Sequence, residues 1–428
     1  MRSPTPNTSP HARFADAIFF PGRAELRLDE RSYSPDLLRR LAEATPASKS
    51  FEQAAATAKC WTDQTLSARH VGRVVEELGA ELAAERDAEV DDFVHHRRGP
   101  EGPDPEHELA AVFVDGGRVQ TREDACGPGV HGRRWREDKI ARLQSMTTRC
   151  HPGDPCPEPP ACFGDLGKLE RFLDADSTLE NQASEKESPA PSPVERWQPE
   201  PLVRTCVATM RGIGDFRWMV MAEAKRRHFY AAKRRAFVAD GAPYNWTLHA
   251  GQFADFVPIL DFLHLAGYLY AAAKALDPAT VAERYRRWVR DAWQGRSAEV
   301  LAELRRALAE AGVGEPTLPD EHPARPVQKA ANYLANHADK VDYPRYRREG
   351  LPTTSSLIES QIKEFNARLK GTEKFWNGSN AEALLQIVAW GLREDGPTLR
   401  DHLANRPGCA FRRRPRRKAS AEGSVSVT

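Results

Sequence analysis

The chain has 428 residues, too many for one ordinary hydrophobic core, so its length argues for two or three domains. With 40% hydrophobic and 29% charged residues it reads as globular, and 32 prolines point to irregular stretches. The formal net charge of +1 argues neither for nor against a nucleic-acid partner; only the placement of the charge can do so.

No segment has the pattern of a membrane span. The longest apolar run, Phe253 to Leu276, is broken by Asp255, Asp261, His264 and Lys274, and the N-terminus lacks the apolar stretch of a signal peptide. The expectation is a cytoplasmic protein without a membrane partner. Seven scattered cysteines disfavour a disulfide framework. Cys150, His151, Cys156 and Cys162 lack the paired C-x-x-C spacing that preorganises zinc and read as free thiols and a loop histidine.

Residues 1–30 carry little periodicity and read as a loose N-terminus. A helical region over 31–100 follows. Ser34-Pro35 sets a capping hydroxyl before a helix with Leu37, Leu38 and Leu41 as its stripe. A second helix covers Phe51–Lys59, and a third follows Ser67 with Val71, Val74, Val75, Leu78 and Leu82 at helical spacing. Three short helices resemble a helix-turn-helix unit that would dock DNA through the third, near Arg69, His70 and Arg73; a small bundle that merely packs fits equally well.

The first part of an α/β core spans 105–147. Ala111–Val114 reads as a buried strand stopped by a turn at Asp115-Gly116-Gly117, and a second strand includes Trp135–Leu143. The stretch 148–200, rich in proline, glycine, serine and acid, reads as a disordered insertion. The core resumes over 201–276 with order from Val207, a helix through Phe216–Ala232, a strand ending at Asp240-Gly241, and a strand Val257–Leu260 ending at Asp261 before a helix near His264. Residues 277–325 read as a helical insertion. The last part of the core, 326–400, carries a helix after Ser356 with Glu359, Ile362, Phe365 and Leu369, and 401–428 reads as a basic disordered tail. That tail and the cluster Lys225, Arg226, Arg227, Lys233, Arg234 and Arg235 are DNA contacts or solvated faces with equal weight.

Acids at strand ends in an α/β sheet collect beyond its carboxyl edge, where ligands bind. Phosphoryl transfer on DNA needs an activated oxygen nucleophile and a stabilised leaving oxygen, and two magnesium ions roughly 4 Å apart supply both. Such ions take hard oxygen ligands, so Asp115, Asp240 and Glu359 would suffice. Each has a plainer reading: Asp-Gly is a common turn pair, and Glu359 follows Ser356 at capping-box spacing. Asp261, at the mouth of a helix, would cap it or orient His264.

The stretches AVFVDGGRVQTRED, AFVADGAPYNW, VPILDFLHLAGYLYAAAKAL and GLPTTSSLIESQIKEFNARLKGTEKFW, in this order, resemble the DDE transposases of the Kra group of prokaryotic insertion sequences over roughly residues 30–395. The resemblance implies an RNase H-like mixed sheet with flanking helices, with Asp115, Asp240 and Glu359 as the triad that holds Mg2+ or Mn2+. It implies Asp261 and His264 as accessory residues from a D-F-x-H element, and Arg368 and Lys370 as DNA-binding residues from an R-x-K-G element. It also raises the weight of DNA binding by the helical region, through Arg69 and Arg73. Family members carry Gly-Ser-Gly before the glutamate motif, where this chain has Thr353-Thr354-Ser355-Ser356, and they begin with a cysteine-rich segment, whereas no cysteine precedes Cys60. A truncated copy is the expectation.

The function implied is metal-dependent cleavage and transfer of double-stranded DNA at transposon ends, by a homo-oligomer associated with the nucleoid. A DNA-binding remnant without transposition, or a nuclease that cuts without joining, stays open at this point.

Overall fold

The computed structural model describes residues 28, 33–62, 65–97, 107–122, 134–167, 198–314, 317–371, 374–396 and 399–405. The expected loose N-terminus falls outside these residues save for residue 28, and so does the tail beyond residue 405. Residues 401–405, assigned from sequence to that tail, instead end a short helix whose Leu403 is buried. Among the described residues, no helix is long and apolar enough to cross a membrane.

The chain opens with α1 (Pro35–Ala44), α2 (Phe51–Thr62) and α3 (Ala68–Val94). As the sequence predicts, Ser34 caps α1 by accepting from Leu37 N at 3.2 Å, and Leu38 and Leu41 turn inward. The third helix is not short: it runs for 27 residues. Its length is explained by a second packing partner, since Gly79 lies so close to a later helix, α12 (Gly378–Gly391), that a Cβ there would come 2.1 Å from the Ala383 carbonyl oxygen. The helical region thus shares one hydrophobic cluster with the rest of the chain.

Five strands, β1 (Leu109–Thr121), β2 (Arg134–Thr147), β3 (Glu200–Thr209), β4 (Arg234–Ala239) and β5 (Val257–Leu260), form one mixed sheet in the order β3-β2-β1-β4-β5. The first three are antiparallel neighbours; β4 and β5 run parallel to β1. The expected turn at Asp115-Gly116-Gly117 is absent. β1 continues through it to Thr121, because Gly116 and Gly117 stay paired with Lys139 and Asp138 of β2. Pairing to β4, by contrast, ends at Val114 opposite Ala239. The sheet therefore splits at Asp115, where β1 goes on and β4 turns away, and such a split opens a crevice.

One face of the sheet is covered by α4 (Ile213–Arg226) and α5 (Pro243–Gln252), which bury Phe216, Val220 and Leu248 against Val112, Val114 and Phe237. The sequence reading extended α4 to Ala232 and missed α5; His228 takes a left-handed conformation, φ 55°, that stops α4. The other face carries α6 (Phe262–Leu276), α11 (Ser356–Leu369) and α12. Between them come α7 (Val281–Trp293), α8 (Ser297–Glu310), α9 (Arg325–Asn336) and α10 (Tyr343–Arg348), and α13 (Leu399–Asn405) follows α12.

The helices expected over 277–325 are present as α7 and α8. Residues 148–167, read from sequence as the start of a disordered insertion, are instead held against them. Phe163 packs edge-on to Phe262 at 4.9 Å, Tyr285 Oη donates to the Phe163 carbonyl at 2.7 Å, Trp293 Nε1 donates to the Cys156 carbonyl at 2.8 Å, and Arg347 forks onto Asp154. The aromatic partners lie about a hundred residues or more away, so a local reading of composition had no sight of them. The remainder of that stretch, 168–197, lies outside the described residues. At the sheet edge, Tyr343 and Tyr346 donate to the carbonyls of Leu260 and Pro258, which protects the unpaired side of β5.

Candidate metal centre

Register builds the site. Val114 pairs with Ala239 and Ala239 with Leu260, so Asp115, Asp240 and Asp261 each follow the last paired residue of three neighbouring parallel strands, ~4.8 Å apart. The three carboxylates form a row at the carboxyl edge.

Their surroundings differ. Asp240 accepts from Ala242 N at 3.0 Å and Asn245 Nδ2 at 2.6 Å, both on Oδ1, which fixes its rotamer and turns the chain into α5. Asp115 accepts from Gly116 N at 2.7 Å on Oδ1. Asp261 is fully buried and saturated: Oδ2 accepts from His264 N at 2.9 Å and contacts His264 Nδ1 at 2.5 Å, while Oδ1 accepts from Ser355 N at 2.6 Å. Asp261 thus caps α6, orients His264 and ties down the start of α11.

Burial pushes the Asp115 carboxyl up to about 7, with Asp240 and Asp261 adding to the effect and His264 opposing it. Burial also works against the charge on His264, but its bond and ion pair to Asp261, with Asp115 and Asp240 nearby, raise it to about 10. Burial disfavours the Asp261 carboxylate too, yet His264 and the amides of Ser355 and His264 hold it below the usual range. A carboxylate strained by burial beside two others is a site that a cation would relieve.

Glu359 lies in the first turn of α11, which crosses β1 and β2 on the face that carries Asp115. Its side chain lies outside the described residues. The helix is capped at Ser355 rather than Ser356, so Glu359 stands four residues after the cap instead of the three of a capping box. Among the described residues, no group of three or more His, Cys, Asp or Glu side chains is gathered closely enough to hold a metal ion. What fits a hard divalent cation is the donor chemistry: two aspartates side by side on adjacent strands, with the helix that bears a third acid passing over them.

The DNA-binding candidates divide. Arg69 and Arg73 are exposed, four residues apart at the start of α3, with Arg73 held by His70 Nδ1 at 2.9 Å. Arg368 does not lie open on the surface: it is 1% exposed, its guanidinium 4.1 Å from the Phe51 ring centroid and 5.2 Å from that of Trp376, with Nε and Nη2 buried. The aromatic pair that buries it comes from α2 and from beyond α11, which helical position alone could not reveal. Lys370 is half-buried at the end of α11. The cluster at 225–235 is also largely structural. Arg226 pairs with Glu223 and Asp395, Arg227 is buried and donates to the Leu143 and Val203 carbonyls, and Arg235 pairs with Asp255. Cys150, Cys156 and Cys162 are free thiols; Cys156 donates to the Glu158 carbonyl.

Sequence reasoning missed two residues here. Tyr333 of α9 lays its ring on Gly241, where a Cβ would come 2.2 Å from Cε2, and its buried hydroxyl has no hydrogen-bond partner. Burial, Asp240 and Asp261 push this phenol well above its ordinary range. The second is Asp138 of β2, buried opposite Gly117 with both oxygens unpartnered, its carboxyl pushed up to about 6 by burial. Only the glycine following Asp240 could have signalled the first; nothing local marks the second.

Compared with known proteins, the chain matches no protein-family model and no curated protein.

Proposed function

We propose that this protein is a DDE-type DNA transposase with an RNase H-like core, cutting and joining double-stranded DNA at insertion-sequence ends. One observation carries the reading: Asp115 and Asp240 stand side by side at the split in the sheet, under a helix whose first turn bears Glu359. The mixed five-stranded sheet with helices on both faces is compatible with that fold, and the motif resemblance supplies the substrate class.

Asp115, Asp240 and Glu359 would hold Mg2+ or Mn2+, which when bound activates the attacking oxygen and neutralises charge on the phosphate. Asp240 is braced by Asn245 and the Ala242 amide, so one of its oxygens is fixed while the other can point to a ligand. Asp261 is saturated by protein donors and acts by position, locking His264 and the start of the Glu359 helix. Arg69 and Arg73 offer exposed cations for the DNA backbone. The reaction is attack on a phosphodiester by water and then by the freed 3′-hydroxyl, on paired ends held by a homo-oligomer at the nucleoid.

The test is cleavage of a supercoiled plasmid carrying the sequences that flank the gene, with Mg2+ or Mn2+, by wild type, Asp240→Asn and Glu359→Gln. Metal-dependent nicking and joining by wild type and neither by the variants, which still bind DNA, is expected. Cleavage by Glu359→Gln at near-normal rate would remove that residue from the chemistry. Cutting without joining by wild type would point to a nuclease, and binding alone to a remnant.

A further inference from the structure

Asp138 is the least satisfied charged group in the described part of the sheet. Its side chain is 1% exposed and neither carboxylate oxygen has a hydrogen-bond partner. Burying a carboxylate without a hydrogen-bond partner is costly; the charges of Lys370 and Lys139 act on Asp138, but neither closes a hydrogen bond to it, so both its oxygens stay open to a cation.

Its position limits what that counter-charge can be. In the β1–β2 ladder Asp115 is opposite Ile140 and Gly117 is opposite Asp138. Residues two apart on a strand share a face, so Asp138 and Asp115 are diagonal neighbours on one face, ~7 Å apart. Gly117 makes room beside Asp138: a Cβ there would come 2.7 Å from Asp138 Oδ1 and 3.0 Å from Oδ2, so the carboxylate lies over β1 at Gly117, two residues along from Asp115 on the same face. The lid is α11. It starts where Arg142 Nη1 donates to the Leu357 carbonyl, and it ends near Trp376, whose amide donates to the Gln120 carbonyl. The helix therefore runs along β1 from the level of Phe113, the partner of Arg142, towards that of Thr121. Between those points sits Gln361, 0% exposed, with both amide atoms unpartnered.

We propose that Asp138 is a fourth carboxylate of the metal centre, holding a divalent cation jointly with Asp115 beneath α11, with the Gln361 carbonyl as a further oxygen donor. Bonds of ~2 Å from each oxygen to one ion span the gap between diagonal neighbours. Asp115-Gly116-Gly117 then has a reason beyond the backbone, because the second glycine leaves the space in which two acids meet. This inference rests on the metal-dependent reading above, but not on DNA as the substrate.

The experiment titrates the full chain with Mn2+, reading free ion by electron paramagnetic resonance, for wild type, Asp138→Asn and Gly117→Ala, each checked by melting in EDTA. Asp138→Asn is expected to weaken Mn2+ binding at least about tenfold while melting at the same or a higher temperature without metal. Gly117→Ala, which displaces the carboxylate but keeps it, should weaken binding in the same direction and guards against a folding defect in the first variant. Unchanged Mn2+ affinity in both variants overturns the proposal and makes Asp138 a buried neutral acid. Wild type that binds no Mn2+ overturns both this and the reading beneath it. Mn2+ binding that depends on Asp138 in a protein that cuts no DNA upholds the site and overturns the transposase.

Discussion

Replacing Asp261 with Asn tests whether this residue acts by position rather than as a ligand. The carboxylate is fully buried and takes contacts from His264 N, His264 Nδ1 and Ser355 N. Asparagine keeps one acceptor oxygen and turns an NH2 group towards either Ser355 N or His264, donor against donor. Taking the Asp261 charge from the partly buried His264 cation costs about 1–3 kcal/mol, and an unmatched buried donor a further ~1–3 kcal/mol. The pH dependence has a definite sign. His264 is raised in the fold, so its contribution is full below about 6.5 and is lost as pH rises through about 10. Asp261 is lowered, so its contribution is present above about 3.8 and is lost in acid. The gap between wild type and Asp261→Asn in urea unfolding should therefore be widest between about pH 4 and 6.5 and should narrow towards pH 10. DNA cleavage, where present, should weaken and recover in part at high Mg2+, as for a group that orients ligands. A gap under about 1 kcal/mol at pH 6, or one that does not change up to pH 10, would refute the buried ion pair.

Three further outcomes follow from single contacts. The Asp115 carboxyl, raised to about 7, stabilises the fold below about pH 3.8 and loses that contribution as pH rises to 7; Asp115→Asn should flatten this loss in melting curves taken with EDTA and abolish any protection by Mn2+. Gly241→Ala forces the Tyr333 ring off a position 2.2 Å from the new Cβ and should cost about 1–3 kcal/mol, partly recovered with Tyr333→Leu, in denaturant unfolding. Arg368→Met should hold or raise the melting temperature, since it replaces buried, unpartnered Nε and Nη2 donors, and should leave DNA affinity in a gel-shift assay unchanged; lost affinity at unchanged stability would return Arg368 to the phosphate backbone.

The sequence by itself determined the pieces whose causes are local. Ser34-Pro35 sets the start of α1, the apolar run Val257–Leu260 is β5 to the residue, and Asp115, Asp240 and Asp261 stand out because each ends an apolar run. Helical periodicity gave α7, α8 and α11 for the same reason. Tertiary structure decided the rest through partners far away in the chain. The Asp-Gly-Gly stretch stays extended because β2 pairs with it, residues 148–167 are ordered because Tyr285 and Trp293 receive them, and α3 is long because α12 packs on it. Arg368 looks like a surface cation by helical position and is buried because Phe51 and Trp376 close over it. Asp138 reads as one more polar residue between Glu137 and Lys139. Only strand pairing, which sets it opposite a glycine and diagonal to Asp115, turns it into a charge in need of a partner, because a side chain's burial depends on what folds over it.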